Sequence, residues 1–145
     1  VKRDFLDMLS ALSAEGAEFL VVGSFALAVH GHPRATGDID LWVRPTPENA
    51  ERVVKALRRF GSPLHGATAA DFTAPDLVFQ IGVAPDRIDI LTSLSGLVWS
   101  EAWPHRVEHT WGAVRVAVLG REELIRNKRA AGRPKDVADA EALEE

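Results

Sequence analysis

A mixed α/β domain, a β-sheet flanked by helices, is the fold class that the sequence predicts. Short runs at 19–22 and 38–43 suit strands, the first wholly apolar and the second strictly alternating. Helical periodicity lies before, between and after them. The resulting order is helix, strand, helix, strand, helix, several strands and two final helices, with a mostly consecutive sheet. That order does not alternate regularly enough for a doubly wound dinucleotide fold, and Gly23-Ser24 is not a dinucleotide fingerprint.

Each element has a local reason. Residues 4–15 put Phe5, Met8, Leu9 and Leu12 at helical spacing. Phe19-Leu20-Val21-Val22 is a buried strand that ends at Gly23, and Ser24 to His30 is a short helix directly after it. Gly31 to Gly37 is punctuated as a loop. Asp38 to Val43 alternates as a strand. Thr46 caps and Pro47 opens a helix whose face holds Ala50, Val53, Val54, Leu57 and Phe60, and Gly61 stops it. A helical turn is expected at 68–72, strands at 77–83 and 87–91 around a Pro85-Asp86 turn, and a short helix at 94–99. Strands at 105–109 and 113–118 form a hairpin around Trp111-Gly112. A helix at 121–131 closes at Gly132, and a last one runs from Pro134 to about Leu143.

The 145 residues suit one domain with a sizeable core, and 46% hydrophobic with 26% charged residues fits a globular chain, not a disordered one. Cysteine is absent, which excludes disulfides, thiol nucleophiles and thiolate metal sites. No apolar run approaches the ~18 residues of a membrane span. The first residues do not read as a signal peptide, because Asp7, Ser10 and Ser13 interrupt the apolar pattern. The expected compartment is the cytoplasm, with no membrane partner. The net charge of −4 argues against nucleic-acid binding by the whole surface. Residues 121–135 nonetheless carry six basic and two acidic residues, so one face suits an anionic ligand unless it is simply a solvated helix surface.

The chemistry centres on three aspartates. Asp38 and Asp40 are two apart on a strand, so both carboxylates point to one face while Ile39, Leu41 and Val43 point to the other. Asp is a poor strand residue, and like charges about 7 Å apart on one face repel. Removing the Asp38 charge is therefore expected to relieve repulsion. Asp89, between Ile88 and Ile90, repeats the pattern. If the two strands are neighbours, three carboxylates converge as hard oxygen ligands for Mg²⁺ or Mn²⁺. The plain alternative is that these residues end or edge strands. Upstream, Gly23-Ser24 joins a strand to a helix start, where backbone N–H groups suit phosphate; a simple capped turn is the alternative.

At Val22-Gly23-Ser24, Thr36-Gly37-Asp38-Ile39-Asp40-Leu41 and Arg87-Ile88-Asp89-Ile90-Leu91, the sequence resembles the nucleotidyltransferase superfamily of the polymerase-beta type. Lys128 and Arg133-Pro134-Lys135-Asp136 are similar to the tail of the AbiEii/AbiGii toxin-type branch and related small nucleotidyltransferase-like proteins. The resemblance spans roughly residues 15–143. It implies a minimal nucleotidyltransferase fold over 1–145, with a core at about 15–120 and a C-terminal helical segment at about 121–145. It further implies a metal-dependent enzyme that moves a nucleotidyl group from an NTP to an acceptor hydroxyl. Asp38, Asp40 and Asp89 would bind Mg²⁺ or Mn²⁺ and act in catalysis together with Lys128. Gly23, Ser24, Lys128 and Asp136 would serve the nucleotide, and Arg34, in the 31–37 loop, is a candidate phosphate contact. RNA, especially tRNA, is the favoured acceptor, with a protein hydroxyl or small molecule as alternatives. The toxin-type branch also implies a toxin–antitoxin component with a cognate antitoxin as partner. A non-catalytic module of the same fold, binding nucleotide, RNA or a partner protein, is the rival reading.

Physically, Lys128 shares the apolar face of its helix with Leu124 and Ile125, so it either snorkels to solvent or turns inward to anionic groups. Asp136 lies on the inward side of the last helix with Ala140 and Leu143, placed to pair with Lys128 or order the site. Trp42 falls on the aspartate face, with packing favoured over walling a nucleotide pocket. The five histidines are scattered and read as non-ligands.

Overall fold

The computed structural model describes residues 1–33 and 37–145. Helix α1 (Arg3–Ala14) leads into β1 (Phe19–Val22), α2 (Gly23–Val29), β2 (Ile39–Val43) and α3 (Pro47–Phe60). After a 3-10 turn at Ala69–Thr73 come β3 (Val78–Ile81), β4 (Ile88–Leu91) and the short helix α4 (Trp99–Ala102). The hairpin β5 (Val107–Trp111) and β6 (Val114–Val118) is followed by α5 (Arg121–Ala131) and α6 (Pro134–Glu144). The mixed α/β class is therefore as expected, with a mixed sheet between helices. Among the described residues no helix is long and apolar enough to cross a membrane.

The sheet has the order β3-β4-β2-β1-β6-β5. β1 pairs antiparallel with β2 and parallel with β6, and β2 pairs parallel with β4. The sheet is less consecutive than expected, because the last hairpin returns to β1. The reason lies in β1 itself, whose four residues are all buried. A strand apolar on both faces belongs in the sheet centre, with backbone partners on each side. β6 supplies the second one, and Leu119 N–H donates to Val21 O at 3.0 Å just beyond it.

α1 and α3 pack on each other, burying Phe5, Met8, Leu9 and Leu12 from one and Ala50, Val53 and Leu57 from the other. Each such large side chain contributes about 1.5–3 kcal/mol by leaving water. The start of α3 is capped by Thr46, whose hydroxyl accepts from Asn49 N–H at 3.4 Å. Asn49 is buried and ties three segments together. Its Oδ1 accepts from Glu18 N–H at 2.7 Å, and its Nδ2 donates to the carbonyls of Glu18 and Arg44, both at 2.9 Å. It thereby fixes the entry of β1 against the exit of β2.

The helix expected at 94–99 lies further on. Residues 94–97 form a tight turn closed by Leu97 N–H to Leu94 O at 3.3 Å, and α4 begins only at Trp99. Ser93, Ser95 and Gly96 favour a turn, and the helical apolar face starts with the buried Trp99 and Ala102. α5 packs on α6 and touches α2, and Asn127 Nδ2 donates to Ser95 O at 3.0 Å. The C-terminal helices thus come to stand beside the β1–α2 junction.

Candidate functional site

Register builds the site. Val22, Asp40 and Asp89 are direct cross-strand partners in one row over β1, β2 and β4, with Gln80 of β3 continuing it. Partners in register point to the same side of a sheet, so the Asp40 and Asp89 carboxylates share a face. Asp38, two residues before Asp40, joins them from the approach to β2. The next row, Val21, Leu41 and Ile90, faces the opposite way and is fully buried. Trp42 is buried against Trp99, with ring centroids 5.1 Å apart, so it packs the core and does not wall the cleft.

A cleft of about 410 Å³ opens over this face. Gly23, Ser24, Asp38, Asp40, Asp89, Lys128 and Asp136 all line it. Its remaining polar lining includes Arg87, Ser95, Asn127, Arg133 and Lys135, with Leu91, Leu94 and Ala131 as apolar patches. The seven described site residues predicted from sequence therefore share one cavity, although they span more than a hundred positions. Arg34 and Thr36 lie outside the described residues.

Two glycines set how closely the parts approach. Gly23 has φ +64°, and a Cβ there would overlap the Asp40 carboxylate. The turn between β1 and α2 thus sits directly on Asp40, and a side chain at position 23 would have to push the carboxylate aside. A Cβ at Gly37 would overlap the Pro85 backbone. That close approach brings the β3–β4 turn against the residue preceding Asp38.

Electrostatically the cleft has an acidic floor and a mixed wall. On the floor, Arg87 Nε donates to Asp89 Oδ1 at 2.8 Å and Nη2 to Asp89 Oδ2 at 3.2 Å. Nη2 also lies 3.3 Å from Asp38 Oδ2, and the Arg87 backbone N–H donates to Asp38 Oδ1 at 3.0 Å. These contacts hold the Arg87 guanidinium above its ordinary pKa, the bond to Asp89 first and its charge second. Asp40 is different. Burial, then the charge and hydrogen bond of Asp89, then the charge of Asp38, raise its carboxyl to about 6, against a smaller lowering by Lys128. The expected repulsion is real, but it falls on Asp40. Asp38, expected to be relieved by losing its charge, is instead held by Arg87.

On the wall, Lys128 is buried and does not snorkel. Its Nζ lies 3.5 Å from Asp136 Oδ1 and 3.1 Å from Asp139 Oδ2. Asp136 is fully buried, and Arg133 Nε donates to its Oδ2 at 2.6 Å. Burial alone would raise the Asp136 carboxyl, but Arg133 and Lys128 outweigh it and hold it below the usual carboxylate range.

The donor set, three carboxylates, has the chemistry for a hard divalent cation. Convergence is nonetheless looser than expected. Among the described residues no group of three or more His, Asp or Glu side chains is gathered as a site able to hold a metal ion. Arg87 engages both Asp38 and Asp89 there.

Sequence reasoning missed Arg87, Asn127 and Asp139. Arg87 carried a signal: two residues before Asp89, strand alternation puts both on one face. Asp139 carried one too, three residues after Asp136 on the same helical face. Asn127 had none, since its partner is a backbone carbonyl from a distant turn.

No family model matches the chain, and no curated protein matches it either. Among solved structures it is similar to the crystal structure of a putative nucleotidyltransferase from Thermotoga maritima, with a TM-score of 0.61 and 16% identity. The match covers 98% of this chain and 89% of the other. At that identity the likeness is one of fold: a mixed sheet flanked by helices in a minimal nucleotidyltransferase-like architecture.

Proposed function

We propose that this chain is a metal-dependent nucleotidyltransferase, moving a nucleotidyl group from an NTP to an acceptor hydroxyl with release of pyrophosphate. One observation carries the reading. Asp40 and Asp89 stand in register on adjacent parallel strands, with Asp38 beside them, in the same cleft as Gly23, Ser24 and Lys128. Like charges on one sheet face cost stability, and a cationic, phosphate-bearing ligand gives that cost a purpose.

Asp38 and Asp40, with Asp89 beside them, are the residues that would hold Mg²⁺ or Mn²⁺. When bound, such ions neutralise phosphate charge and polarise the reacting oxygens. The chain's own groups do the rest by position and charge. The Gly23–Ser24 turn offers backbone N–H groups and a hydroxyl to the phosphates. Lys128 faces them from the wall, oriented by Asp136 and Asp139. Asp89 is the carboxylate that would accept the proton of the acceptor hydroxyl. RNA, above all tRNA, is the favoured acceptor, because the net positive segment 121–135 contributes Lys128, Arg133 and Lys135 to the cleft. Such an activity fits a toxin–antitoxin component, with a cognate antitoxin as partner.

A second reading, a non-catalytic module that binds nucleotide, RNA or a protein, is favoured by Arg87, which already pairs with both Asp38 and Asp89. Two measurements separate the readings. Calorimetry with Mg²⁺ and each NTP should show binding that Asp40→Ala abolishes. Incubation with labelled NTP and bulk tRNA should then label the RNA, and Asp38→Ala or Asp40→Ala should remove the label. NTP binding without labelling of RNA, protein or small molecules would establish the binding module. Absence of NTP binding would overturn both nucleotide readings.

A further inference from the structure

Arg87 is unused by the proposed reaction, yet it makes the densest set of polar contacts on the cleft floor. Its guanidinium forks onto both oxygens of Asp89 and reaches Asp38 Oδ2, while its backbone N–H holds Asp38 Oδ1. One residue thereby engages all four oxygens of two carboxylates. A fork of this kind is among the stronger polar contacts a side chain makes, and its charge does not titrate away. A divalent cation needs oxygens of the same carboxylates. It would also meet a fixed positive charge only a few ångströms off.

We infer that divalent-cation binding at Asp38 and Asp89 is an exchange, in which the cation displaces the Arg87 guanidinium from the two carboxylates. The inference rests on the metal-dependent reading above. In the metal-free protein Arg87 serves as a built-in counter-ion, keeping the floor assembled while weakening its hold on free metal. A triphosphate entering the cleft offers the displaced guanidinium a new anionic partner, so metal and nucleotide favour each other's binding.

The test is calorimetric titration of free Mn²⁺, without nucleotide, into the wild-type protein, Arg87→Met, Arg87→Lys and Lys135→Met. Lys135→Met removes one positive charge from the same cleft and serves as the control for general electrostatics. Arg87→Met is expected to bind Mn²⁺ about tenfold more tightly than wild type, and Lys135→Met within about threefold of it. Melting curves with EDTA and with Mn²⁺ give a second readout, in which Mn²⁺ raises the melting temperature of Arg87→Met more than that of wild type. If Arg87→Met folds only with Mn²⁺, the exchange is supported directly. If it folds in neither condition, Arg87→Lys decides, since a shorter cation without the fork should bind Mn²⁺ more tightly than wild type does. Equal gains in Arg87→Met and Lys135→Met, or no gain in either Arg87 variant, would overturn the exchange while wild-type Mn²⁺ binding leaves the metal reading standing. Absence of Mn²⁺ binding in every protein would overturn both.

Discussion

The floor of the cleft sets three carboxylates against one arginine, whereas its C-terminal wall pairs the charges it buries. On the wall, Lys128 lies between Asp136 and Asp139, and Asp136 also accepts from Arg133. The result is a carboxyl held below its ordinary pKa. On the floor, Arg87 serves Asp38 and Asp89, and Asp40 is left with burial and two like-charged neighbours, which raise it to about 6. The same residue type thus shifts in opposite directions within one cavity. The wall is a structural network that presents cations in fixed positions. The floor holds unrelieved negative charge, which is what a site for a cationic ligand requires.

The comparison breaks most visibly at Asp136. Asp136→Ala takes away one of the two buried counter-ions of Lys128 and the acceptor of Arg133, and is expected to cost about 3 kcal/mol, the low end for breaking a buried ion pair because Asp139 still faces Lys128. Because its folded pKa is depressed, the native Asp136 contributes stability above the unfolded value, and that contribution is lost as pH falls through the folded one. Urea unfolding of the variant at neutral pH measures the loss. A change below about 1 kcal/mol would mean that the wall is solvated like a surface pair.

The floor predicts the reverse sign. Asp40 binds its proton more tightly folded than unfolded, so wild-type stability falls as pH rises from about 4 to about 6. A rise from 3.8 to about 6 corresponds to about 2–3 kcal/mol at neutral pH. Asp40→Asn is expected to recover that amount in EDTA and to flatten the fall between pH 4 and 6. Melting temperatures across that range check it, and a variant less stable than wild type at pH 7 would place the repulsion elsewhere. Asp38→Asn, by contrast, should not stabilise, because it gives up contacts with Arg87.

The floor's three carboxylates were legible in the sequence, its arginine was not, and the wall was legible only in outline, for one physical reason. Period-two alternation tells which way Asp38, Asp40 and Asp89 point, and apolar neighbours on both sides made each strand plain. Adjacency of β2 and β4 was conditional until the register Asp40 to Asp89 supplied it. Lys128 and Asp136 were legible as inward-facing residues, but Asp139, Arg133 and Asn127 complete the wall through packing between α5, α6 and the turn at Ser95. Helical periodicity gives a face and not a partner. The turn at 94–97, within the span 94–99 where the sequence predicts a helix, shows the same gap: it is held on α5 through Asn127, not by its own apolar pattern.

The smallest expected effect is at Gly23, where the turn between β1 and α2 meets the floor. Its φ of +64° costs a side-chain-bearing residue about 1–2 kcal/mol by backbone strain alone. A Cβ there would also overlap the Asp40 carboxylate. These two contributions separate in a double-mutant cycle. If close approach to Asp40 matters, Gly23→Ala is expected to destabilise wild type more than it destabilises Asp40→Ala, where the carboxylate is gone. Equal costs in both backgrounds would leave only the backbone, and the turn would then sit on the floor without being shaped by it. A larger cost in wild type would show that the glycine is there so that main chain and carboxylate can share one small space, which is the space a phosphate and its counter-ion would enter.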